Sequence, residues 1–325
     1  MSKIAPNFLY SFRLGGGGAA TALDVAEVRN WSPSDGKIWV HIDVADPGAC
    51  QWLERESGVP RDAVDILLAE ETRPRSIVTE DGLVVVLRGV NTNPGDDPED
   101  MVSVRVWIDA NRVISTRRRR LLSVIDISEA LATGTGPHSP GAFLAALIER
   151  LADRIGEFVE TLEGRLDTAE EDIGNEGAES FRPRLSALRR QIAGVRRFLA
   201  PQRDALDRLN RQPVAFLDDA DAHALRQEAD RVTRYLEDLD LARERTVVLQ
   251  EELLSLVAQQ QNARMYVLSV VAAIFLPLTF VTGLLGMNVG GLPGVDSSSG
   301  FMVSVVVMVV AAAGLLGYFR WKRWL

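Results

Sequence analysis

Residues 264–288 read RMYVLSVVAAIFLPLTFVTGLLGMN, and this stretch decides the architecture of the chain. No charged side chain follows Arg264 in it, and residues 301–319 are likewise uncharged. A helix needs about 20 apolar residues to cross the roughly 30 Å of hydrocarbon in a bilayer. Two buried helices of a soluble protein are the alternative, but apolar runs such as residues 305–311 would require an unusually large core. The sequence therefore predicts a two-helix transmembrane hairpin at the C-terminus.

Positively charged residues flank the hairpin on one side only. Arg264 precedes the first stretch, and Arg320 and Lys322 follow the second, whereas the connection 286–300 contains no Lys or Arg. Because Lys and Arg are retained on the cytoplasmic side of a membrane, both chain ends are expected in the cytoplasm. The N-terminus lacks the apolar core of a signal peptide, which agrees with this orientation. We therefore expect a multi-pass protein of the cell (inner) membrane.

The charged sequence before the hairpin divides into two further parts. A compact α/β domain is predicted by helical segments near 49–56 and 61–69 and by β-like runs at 37–42, 83–87, 102–108 and 113–116. The expected organisation is a cytoplasmic α/β domain at 1–139, a helical bundle with a stalk helix at 140–264, and the hairpin at 265–325. The hairpin then comprises a first span at 265–285, an outer loop at 286–300, a second span at 301–319 and a basic cytoplasmic C-terminus.

Three helices are expected ahead of the membrane. The first runs for about 30 residues from Pro140, and the second spans roughly 185–213 and passes Pro201. The third contains no Gly or Pro before the first span and carries a heptad repeat at Leu225, Val232, Leu239, Thr246 and Leu253. If it continues into that span, it forms one helix of about 60 residues, about 90 Å long. Such a helix would couple the soluble part mechanically to the membrane.

Composition excludes several classes of function. The net charge of -9 and the pI near 5.1 disfavour nucleic-acid binding and attract cations. The single cysteine, Cys50, forms no internal disulfide, and the three histidines are too scattered for a zinc-ligand spacing. The glycine run at 15–18 lacks the Lys and Ser or Thr of a phosphate-binding loop, so we interpret it as a turn. With no nucleophile and base pair either, an enzyme is not expected.

The tripeptide Gly286-Met287-Asn288 ends the first span, after FLPLTF at 275–280 and before VGGLPG at 289–294. The chain resembles the CorA superfamily of divalent-cation transporters, and more narrowly its ZntB-like zinc-transporter branch. Further segments share the resemblance: WVHID at 39–43, EETRPR at 70–75, RGVN at 88–91 and WKRWL at 321–325. The resemblance implies a funnel-shaped homopentamer in the bilayer, with five first spans around a central pore and the second spans as an outer ring.

The resemblance also implies the residues of the ion path. Gly286, Met287 and Asn288 would form the filter, where a ring of Asn288 amide oxygens holds a hydrated divalent ion. The alternative for Asn288 is a helix C-cap. The pore-facing positions would be Met265, Leu268, Ala272, Leu276, Thr279 and Gly283. Met265, Leu268 and Leu276 would act as constrictions that gate by dewetting, and Thr279 as a polar ring. Pro277 is able to kink the helix and shift this register.

The identity of the ion follows from the branch rather than from the hairpin. The ZntB-like branch implies transport of Zn²⁺, with Mg²⁺, Co²⁺, Ni²⁺ and Cd²⁺ as further candidates and no resident cofactor. Magnesium-type relatives commonly carry a glutamate just after the tripeptide, whereas here 290–294 is neutral and Asp296 is the acid nearest to it. A Mg²⁺ or Co²⁺ channel of the same fold is the alternative. The spans contain no Asp, Glu or His, so a proton-coupling group would lie elsewhere or protons would travel with pore water.

Two acidic runs are weaker candidates for cation binding. Asp218, Asp219 and Asp221 form one, and Asp96 to Asp100 form the other, although such runs are mostly solvated loops. His41 and Asp43 share one face of a predicted strand but are too few ligands for zinc, and we interpret them as structural. The heptads alone would also fit a membrane-anchored coiled-coil scaffold without transport. That alternative predicts no ion flux and tolerance of larger residues at Gly283.

Overall fold

Apolar runs rich in valine and isoleucine form most of a seven-stranded sheet in the computed structural model, which describes residues 5–175, 177–212, 214–287 and 298–322. The strands are Phe8–Leu14 (β1), Ala20–Ala22 (β2), Lys37–Asp43 (β3), Arg75–Val78 (β4), Leu83–Gly89 (β5), Val102–Ile108 (β6) and Arg112–Arg117 (β7). The helices are Val25–Asn30 (α1), Pro47–Arg55 (α2), Arg61–Leu68 (α3), Leu122–Thr133 (α4), Pro140–Asp172 (α5), Ala178–Arg211 (α6), Asp219–Leu285 (α7) and Gly300–Trp321 (α8). The chain divides into two compact units, Met1–Gln250 and Glu251–Leu325.

The sheet has the order β2-β1-β3-β7-β6-β5-β4, with β3 and β7 parallel and the other neighbours antiparallel. Helices α2 and α3 pack on one face, where Trp52, Leu53 and Trp107 belong to one buried core. The opposite face meets α4 and α5, and the rings of Trp39 and Phe143 lie 4.9 Å apart there. Because both faces are covered, β5 and β6 are apolar almost throughout rather than alternating.

The predicted strands and helices of this α/β part are confirmed to within about two residues. The strands at 37–42, 83–87, 102–108 and 113–116 correspond to β3, β5, β6 and β7, and the two helical segments to α2 and α3. Strands β1, β2 and β4 and helices α1 and α4 were not predicted from the sequence. The glycine run forms the predicted turn between β1 and β2, where Gly17 and Gly18 adopt φ values of 79° and 87° that favour glycine.

Helices α5 and α6 form as expected from their apolar spacing. Ser139 caps α5, since its Oγ accepts the Ala142 amide at 3.0 Å, and Pro140 occupies the first turn. Helix α6 continues through Pro201, although a proline in a helix interior removes one hydrogen bond. The sheet supports α6 at this point, because Gln202 Oε1 accepts the Arg88 amide at 2.7 Å.

Helix α7 is one element of 67 residues and continues through Pro277, which confirms the predicted continuation into the first span. All five heptad positions from Leu225 to Leu253 are buried. In the first unit, Arg231 pairs with Asp153 of α5 at 2.6 Å, and Arg245 pairs with Asp167 of α5 at 2.6 Å. The apolar positions and these ion pairs together set the register of α7 on α5.

The second unit consists of the end of α7 together with α8. Both helices contain a window long and apolar enough to cross a membrane, and none of that window is buried inside the protein. Helix α8 includes the whole predicted second span. Large apolar side chains are therefore exposed along both, as at Leu276 (76%) and Phe301 (82%).

Candidate ion-conduction site

The last turns of α7 carry the predicted pore-facing residues on one side. Met265, Leu268, Ala272, Leu276, Thr279 and Gly283 are all exposed in the single chain. Val270, Ile274 and Val281 are half-buried instead. At 3.6 residues per turn, Leu276 lies about 200° around the helix from Ile274, so the two sets occupy opposite sides. The chain thus covers one side of α7 and leaves the predicted pore-facing side uncovered.

Hydroxyl groups in this helix are oriented by its own backbone. Thr279 Oγ1 donates to the Phe275 carbonyl at 2.8 Å, and Thr282 Oγ1 donates to the Thr279 carbonyl at 3.0 Å. Each hydroxyl proton is used within the helix, which leaves the oxygen lone pairs free to accept. Oxygen acceptors of this kind suit the water shell of a hard divalent cation.

The C-terminal end of α7 is a tight turn built on glycine. The Gly286 amide donates to the Thr282 carbonyl at 2.9 Å, and the Met287 amide donates to the Leu284 carbonyl at 3.4 Å. A Cβ atom at Gly286 would lie 3.0 Å from the Thr282 carbonyl oxygen, so glycine permits this close approach. Asn288 and Asp296 lie outside the described residues. Of the predicted filter, Gly286 and Met287 are therefore placed directly after the last helical turn.

A crevice of about 720 Å³ lies between the end of α7 and the start of α8. Its walls include Val281, Thr282 and Leu285 from α7, and Gly300, Ser304 and Met308 from α8. Ser304 Oγ donates to the Gly300 carbonyl at 2.9 Å, so its oxygen also retains acceptor capacity. The sequence analysis did not single out Thr282 or Ser304. The available signal was a hydroxyl side chain within an otherwise apolar span.

The three candidate aspartates lie at the N-terminus of α7, which the side chain of Asp218 caps. Asp218 Oδ1 accepts the Asp221 amide at 2.7 Å. The side chain of Asp221 packs over Gly141, where a Cβ atom would lie only 2.0 Å from Asp221 Oδ2. Burial, with Asp218 nearby, raises the pKa of Asp221 above its usual value. Across the described parts of the chain, no three His, Cys, Asp or Glu side chains are grouped to hold a metal ion.

The His41 and Asp43 pair is separated by its hydrogen bonds. His41 is buried, and its Nδ1 lies 2.8 Å from Ser115 Oγ, which also accepts from Trp39 Nε1 at 2.8 Å. Burial, followed by the nearby Arg117 charge, lowers the pKa of His41 to about 3. Asp43 instead pairs with Arg117 at 3.3 Å. The structural interpretation of this pair is confirmed.

The second acidic run, Asp96 to Asp100, is tied to neighbouring side chains. Asp100 pairs with Arg119 at 2.7 Å, and Asp96 accepts from Asn91 Nδ2 at 3.0 Å. The Arg119 side chain, which donates to Asp100, lowers the pKa of that carboxyl. The structure places this run in the first unit, as it does the aspartates of α7.

The architecture agrees with comparison to known proteins. A family model described as a CorA-like Mg2+ transporter protein matches residues 34–323. This chain belongs to the CorA family. It is 41% identical over 312 residues to the divalent cation transporter CmaX of Pseudomonas aeruginosa, covering 95% of this chain and 94% of that protein. It is 34% identical over 317 residues to the zinc transport protein ZntB of Yersinia enterocolitica, covering 98% and 96%.

A solved structure of a full-length CmaX protein has the same fold as this CorA-family chain. The two superpose with a TM-score of 0.84 at 38% sequence identity, and the match covers 100% of both chains. The relatives are membrane transporters and not enzymes. The chain is therefore a divalent-cation transporter of the CorA and ZntB type, with an N-terminal α/β part, a long helix and two C-terminal apolar helices.

Proposed function

We propose that this CorA-family protein transports Zn²⁺ across the cell (inner) membrane through a pore lined by α7. The uncovered side of α7 carries the proposal: six predicted pore-facing residues, none charged, lie opposite the side that the chain itself shields. A neutral lining with oxygen acceptors at Thr279 passes a hydrated ion without binding it so tightly that it cannot leave. Among the described residues, Met265, Leu268 and Leu276 form the apolar constrictions, and Ala272 and Gly283 are the small members of the same lining.

The filter is Gly286, Met287 and Asn288, and it follows the last turn of α7. The Asn288 amide oxygen accepts from a water of the ion's hydration shell, which avoids the cost of dehydration. The comparisons support zinc because several relatives with this length and organisation are named zinc transport proteins. The neutral residues at 290–294 also favour it, since a magnesium-type relative would carry a glutamate there.

A homopentamer is the assembly that completes the pore. Exposed apolar side chains on the charged part of α7 support it, namely Leu241 (57%), Val247 (41%) and Val248 (62%). Large apolar residues that remain exposed on a long charged helix mark an interface with another chain. Native mass spectrometry of the detergent-solubilised protein will show five copies. A Leu241→Asp and Val248→Asp double variant will shift the population toward smaller species.

The membrane arrangement extends the same proposal. Residues 1–139 and 140–264 form cytoplasmic parts, residues 265–325 form the hairpin, and both chain ends face the cytoplasm. Asp218, Asp219 and Asp221 stay a candidate cytoplasmic cation site, although among the described residues they are not grouped to hold a metal ion. Tags at either end will be digested by protease in inside-out vesicles and protected in right-side-out vesicles.

Flux in proteoliposomes tests the ion. With zinc- and magnesium-sensitive dyes trapped inside, we expect rapid Zn²⁺ entry and slower Mg²⁺ entry at equal gradients. Fast magnesium flux without zinc flux would replace the zinc assignment by the second candidate, a Mg²⁺ channel of the same fold. The description of the family model as a Mg2+ transporter favours that second candidate. An imposed pH gradient across the same vesicles tests proton coupling. We expect the gradient to accelerate Zn²⁺ entry.

Asn288→Ala tests the filter. We expect a loss of flux of at least tenfold, because the variant removes the acceptor ring while leaving α7 intact. Asn175→Ala is the matched control, since Asn175 is an exposed asparagine in the connection between α5 and α6. Unchanged flux in Asn288→Ala would refute the role of this residue while leaving transport by the protein intact.

A further inference from the structure

The crevice between the end of α7 and the start of α8 has no part in the proposed ion path. Its volume of about 720 Å³ falls within the roughly 300–1,000 Å³ of sites that bind small molecules. None of its described lining residues is charged, and most of them are valine, leucine, phenylalanine or methionine. An occupant that fits these walls is therefore uncharged and mainly apolar.

Water is a poor occupant of this crevice. The volume corresponds to about 24 water molecules at roughly 30 Å³ each, and a buried water typically makes about three hydrogen bonds. Thr282 Oγ1 donates to the Thr279 carbonyl at 3.0 Å, and Ser304 Oγ donates to the Gly300 carbonyl at 2.9 Å. Even with Ser299 added, three side-chain hydroxyls on the walls are far too few partners for that many waters. A hydrocarbon chain instead supplies the dispersion contacts that an empty crevice would forfeit.

The crevice opens on the side of α7 that faces away from the proposed pore. Val281 and Leu285 line it, and each lies about 200° around the helix from a pore-facing residue two positions earlier, Thr279 and Gly283 respectively. Copies gathered around a pore approach one another on the pore-facing side. Lipid, rather than a neighbouring copy, is therefore the occupant available on the crevice side.

The walls of the crevice are continuous with apolar side chains that the protein leaves exposed. Phe301, Val303 and Val307 of α8 line the crevice and are each at least 50% exposed. The apolar window of α8 that is long enough to cross a membrane is not buried inside the protein. A hydrocarbon chain can thus pass from the bilayer along these side chains into the crevice without meeting a charged group.

One wall of the crevice belongs to the proposed filter. Gly286 lines the crevice, and its amide donates to the Thr282 carbonyl at 2.9 Å to close the last turn of α7. A Cβ atom at Gly286 would lie 3.0 Å from that carbonyl oxygen, so the turn is tight and has no side chain of its own to pack on α8. An occupant of the crevice therefore contacts the backbone of this turn directly.

We propose that the crevice binds one fatty-acyl chain of a membrane phospholipid, which packs against Gly286 and holds the filter turn in place. The chain comes from the leaflet nearest to the connection between α7 and α8, and its headgroup stays at the membrane surface because the walls carry no charge to bind it. We expect a straight chain to fit between the two helices and a methyl-branched chain to be too wide. The binding is independent of the transported ion, whereas its effect on flux rests on the proposed function.

Native mass spectrometry of the full-length protein measures this binding without reference to transport. Protein taken from dioleoyl-phosphatidylglycerol liposomes into mild detergent is expected to retain one phospholipid per chain. Val305→Phe, which places a ring in the crevice, should lose that lipid. Val306→Phe is the matched control, because this neighbouring valine is exposed and is not among the described lining residues. No retained lipid in the wild type, or equal retention in both variants, would overturn the proposal.

Photolabelling of the wild type gives evidence that needs no variant. The protein is reconstituted with a phospholipid that carries a diazirine near the end of one acyl chain, irradiated, and mapped by peptide mass spectrometry. We expect labels on both walls of the crevice, at Leu285 of α7 and Met308 of α8. Labels at exposed positions of α8 such as Val309 alone would show that lipid coats the helix without entering the crevice, which would contradict the assignment.

Zinc flux tests the effect of the bound chain on the filter. In proteoliposomes, the wild type is expected to pass Zn²⁺ several-fold more slowly in diphytanoyl lipid, whose chains are methyl-branched, than in dioleoyl lipid. Val305→Phe should remove this difference, and Val306→Phe should keep it. Equal wild-type flux in both lipids would refute the support of Gly286 by lipid. Absence of Zn²⁺ flux in both lipids, with one phospholipid still retained per chain, would refute the proposed function and leave the binding site standing.

Discussion

The two units of this transporter place similar apolar side chains in opposite environments. In the first unit Leu53 and Leu67 are completely buried, whereas in the second Leu276 is 76% exposed and Phe301 is 82% exposed. The first unit removes its apolar surface from water by packing helices on a sheet. In the second, the chain shields only one side of α7 and leaves most large apolar side chains of α7 and α8 exposed. Exposure of this extent on uncharged helix segments indicates that these side chains make their contacts outside the chain, as a membrane span does with lipid.

The placement of charge follows the same division. The first unit links its helices by ion pairs such as Arg231 with Asp153, and it buries His41 and Arg105. The spans in the second unit contain no Asp, Glu, His, Lys or Arg. Stability in the first unit should therefore respond to packing and pH, while substitutions in the spans should alter flux.

A pair of leucine substitutions tests this comparison with the largest expected effect. Leu53→Ala should lower the free energy of unfolding of the first unit by about 2–5 kcal/mol, because it opens a cavity in the core between the sheet and α2. Leu276→Ala should leave that unfolding unchanged and increase ion leak, because it widens an apolar constriction. Tryptophan fluorescence of the full chain in detergent measures unfolding, and proteoliposome dye uptake measures leak. Equal destabilisation by both would break the comparison.

Glycine substitutions test the close packing of the first unit at single contacts. A Cβ atom at Gly156 of α5 would lie 2.5 Å from Tyr235 Oη, so Gly156→Ala should cost about 1–3 kcal/mol of unfolding free energy. Gly164 lies on the same helix with no atom within 4 Å of an added Cβ. Gly164→Ala should be neutral or stabilise by up to about 1 kcal/mol. Urea titrations compare the two, and equal effects would show that α5 does not pack closely on Tyr235.

Acid should destabilise the first unit through His41. Its folded pKa of about 3 lies below the ordinary value of 6.5, so the unfolded chain binds the proton more readily. The contribution of neutral His41 to the free energy of unfolding is complete above about pH 6.5. It is lost toward pH 3, at up to about 1.4 kcal/mol per pH unit. His41→Asn should flatten the dependence of the urea midpoint between pH 7 and pH 5, whereas His223→Asn, at an exposed position, should not. If the urea midpoint of His41→Asn depends on pH as steeply as that of the wild type, His41 is not the cause of the acid destabilisation.

The smallest effect is expected at the ion pairs between α5 and α7. Arg245→Gln removes the cation that pairs with Asp167 and Glu170, two carboxylates that are largely solvent-accessible. The substitution should therefore lower the free energy of unfolding by about 0.2–1 kcal/mol. Raising the salt concentration to 1 M should reduce the difference from wild type, because salt screens exposed charges. Arg243→Gln is the control on the same helix, at an exposed position. A loss above about 2 kcal/mol would mean that Arg245 is more than a surface bridge.

Much of the fold could be predicted because the patterns were long and periodic. Heptads identified α7, uncharged runs identified both apolar helices, and valine-rich runs identified β5 and β6. Strands β1, β2 and β4 were missed because their side chains are only half-buried or their length is short, so local pattern is weak there. Their pairing depends on partners distant in sequence, such as Ser11 opposite Val40.

The sequence predicted which residues of the candidate site share one side of a helix, but not which neighbouring side chains cover the rest of that helix. Spacing alone placed Leu268, Leu276 and Thr279 on one side of a helix. It could not show that Ile274 and Val281 are shielded on the other, because shielding depends on how the hairpin closes. It also could not assign Asp221, whose carboxylate packs against Gly141 about eighty residues earlier in the chain.

The sequence by itself determined that residues 264–288 and 301–319 form a membrane hairpin, because hydrocarbon excludes charge over a length set by the bilayer. It showed that no Gly or Pro interrupts the preceding helix before the first span, and the structure then showed one continuous helix. Tertiary structure alone decided which side of α7 stays uncovered, and that Arg105 would be buried. Those outcomes depend on contacts between residues far apart in the chain, where neither periodicity nor composition carries information.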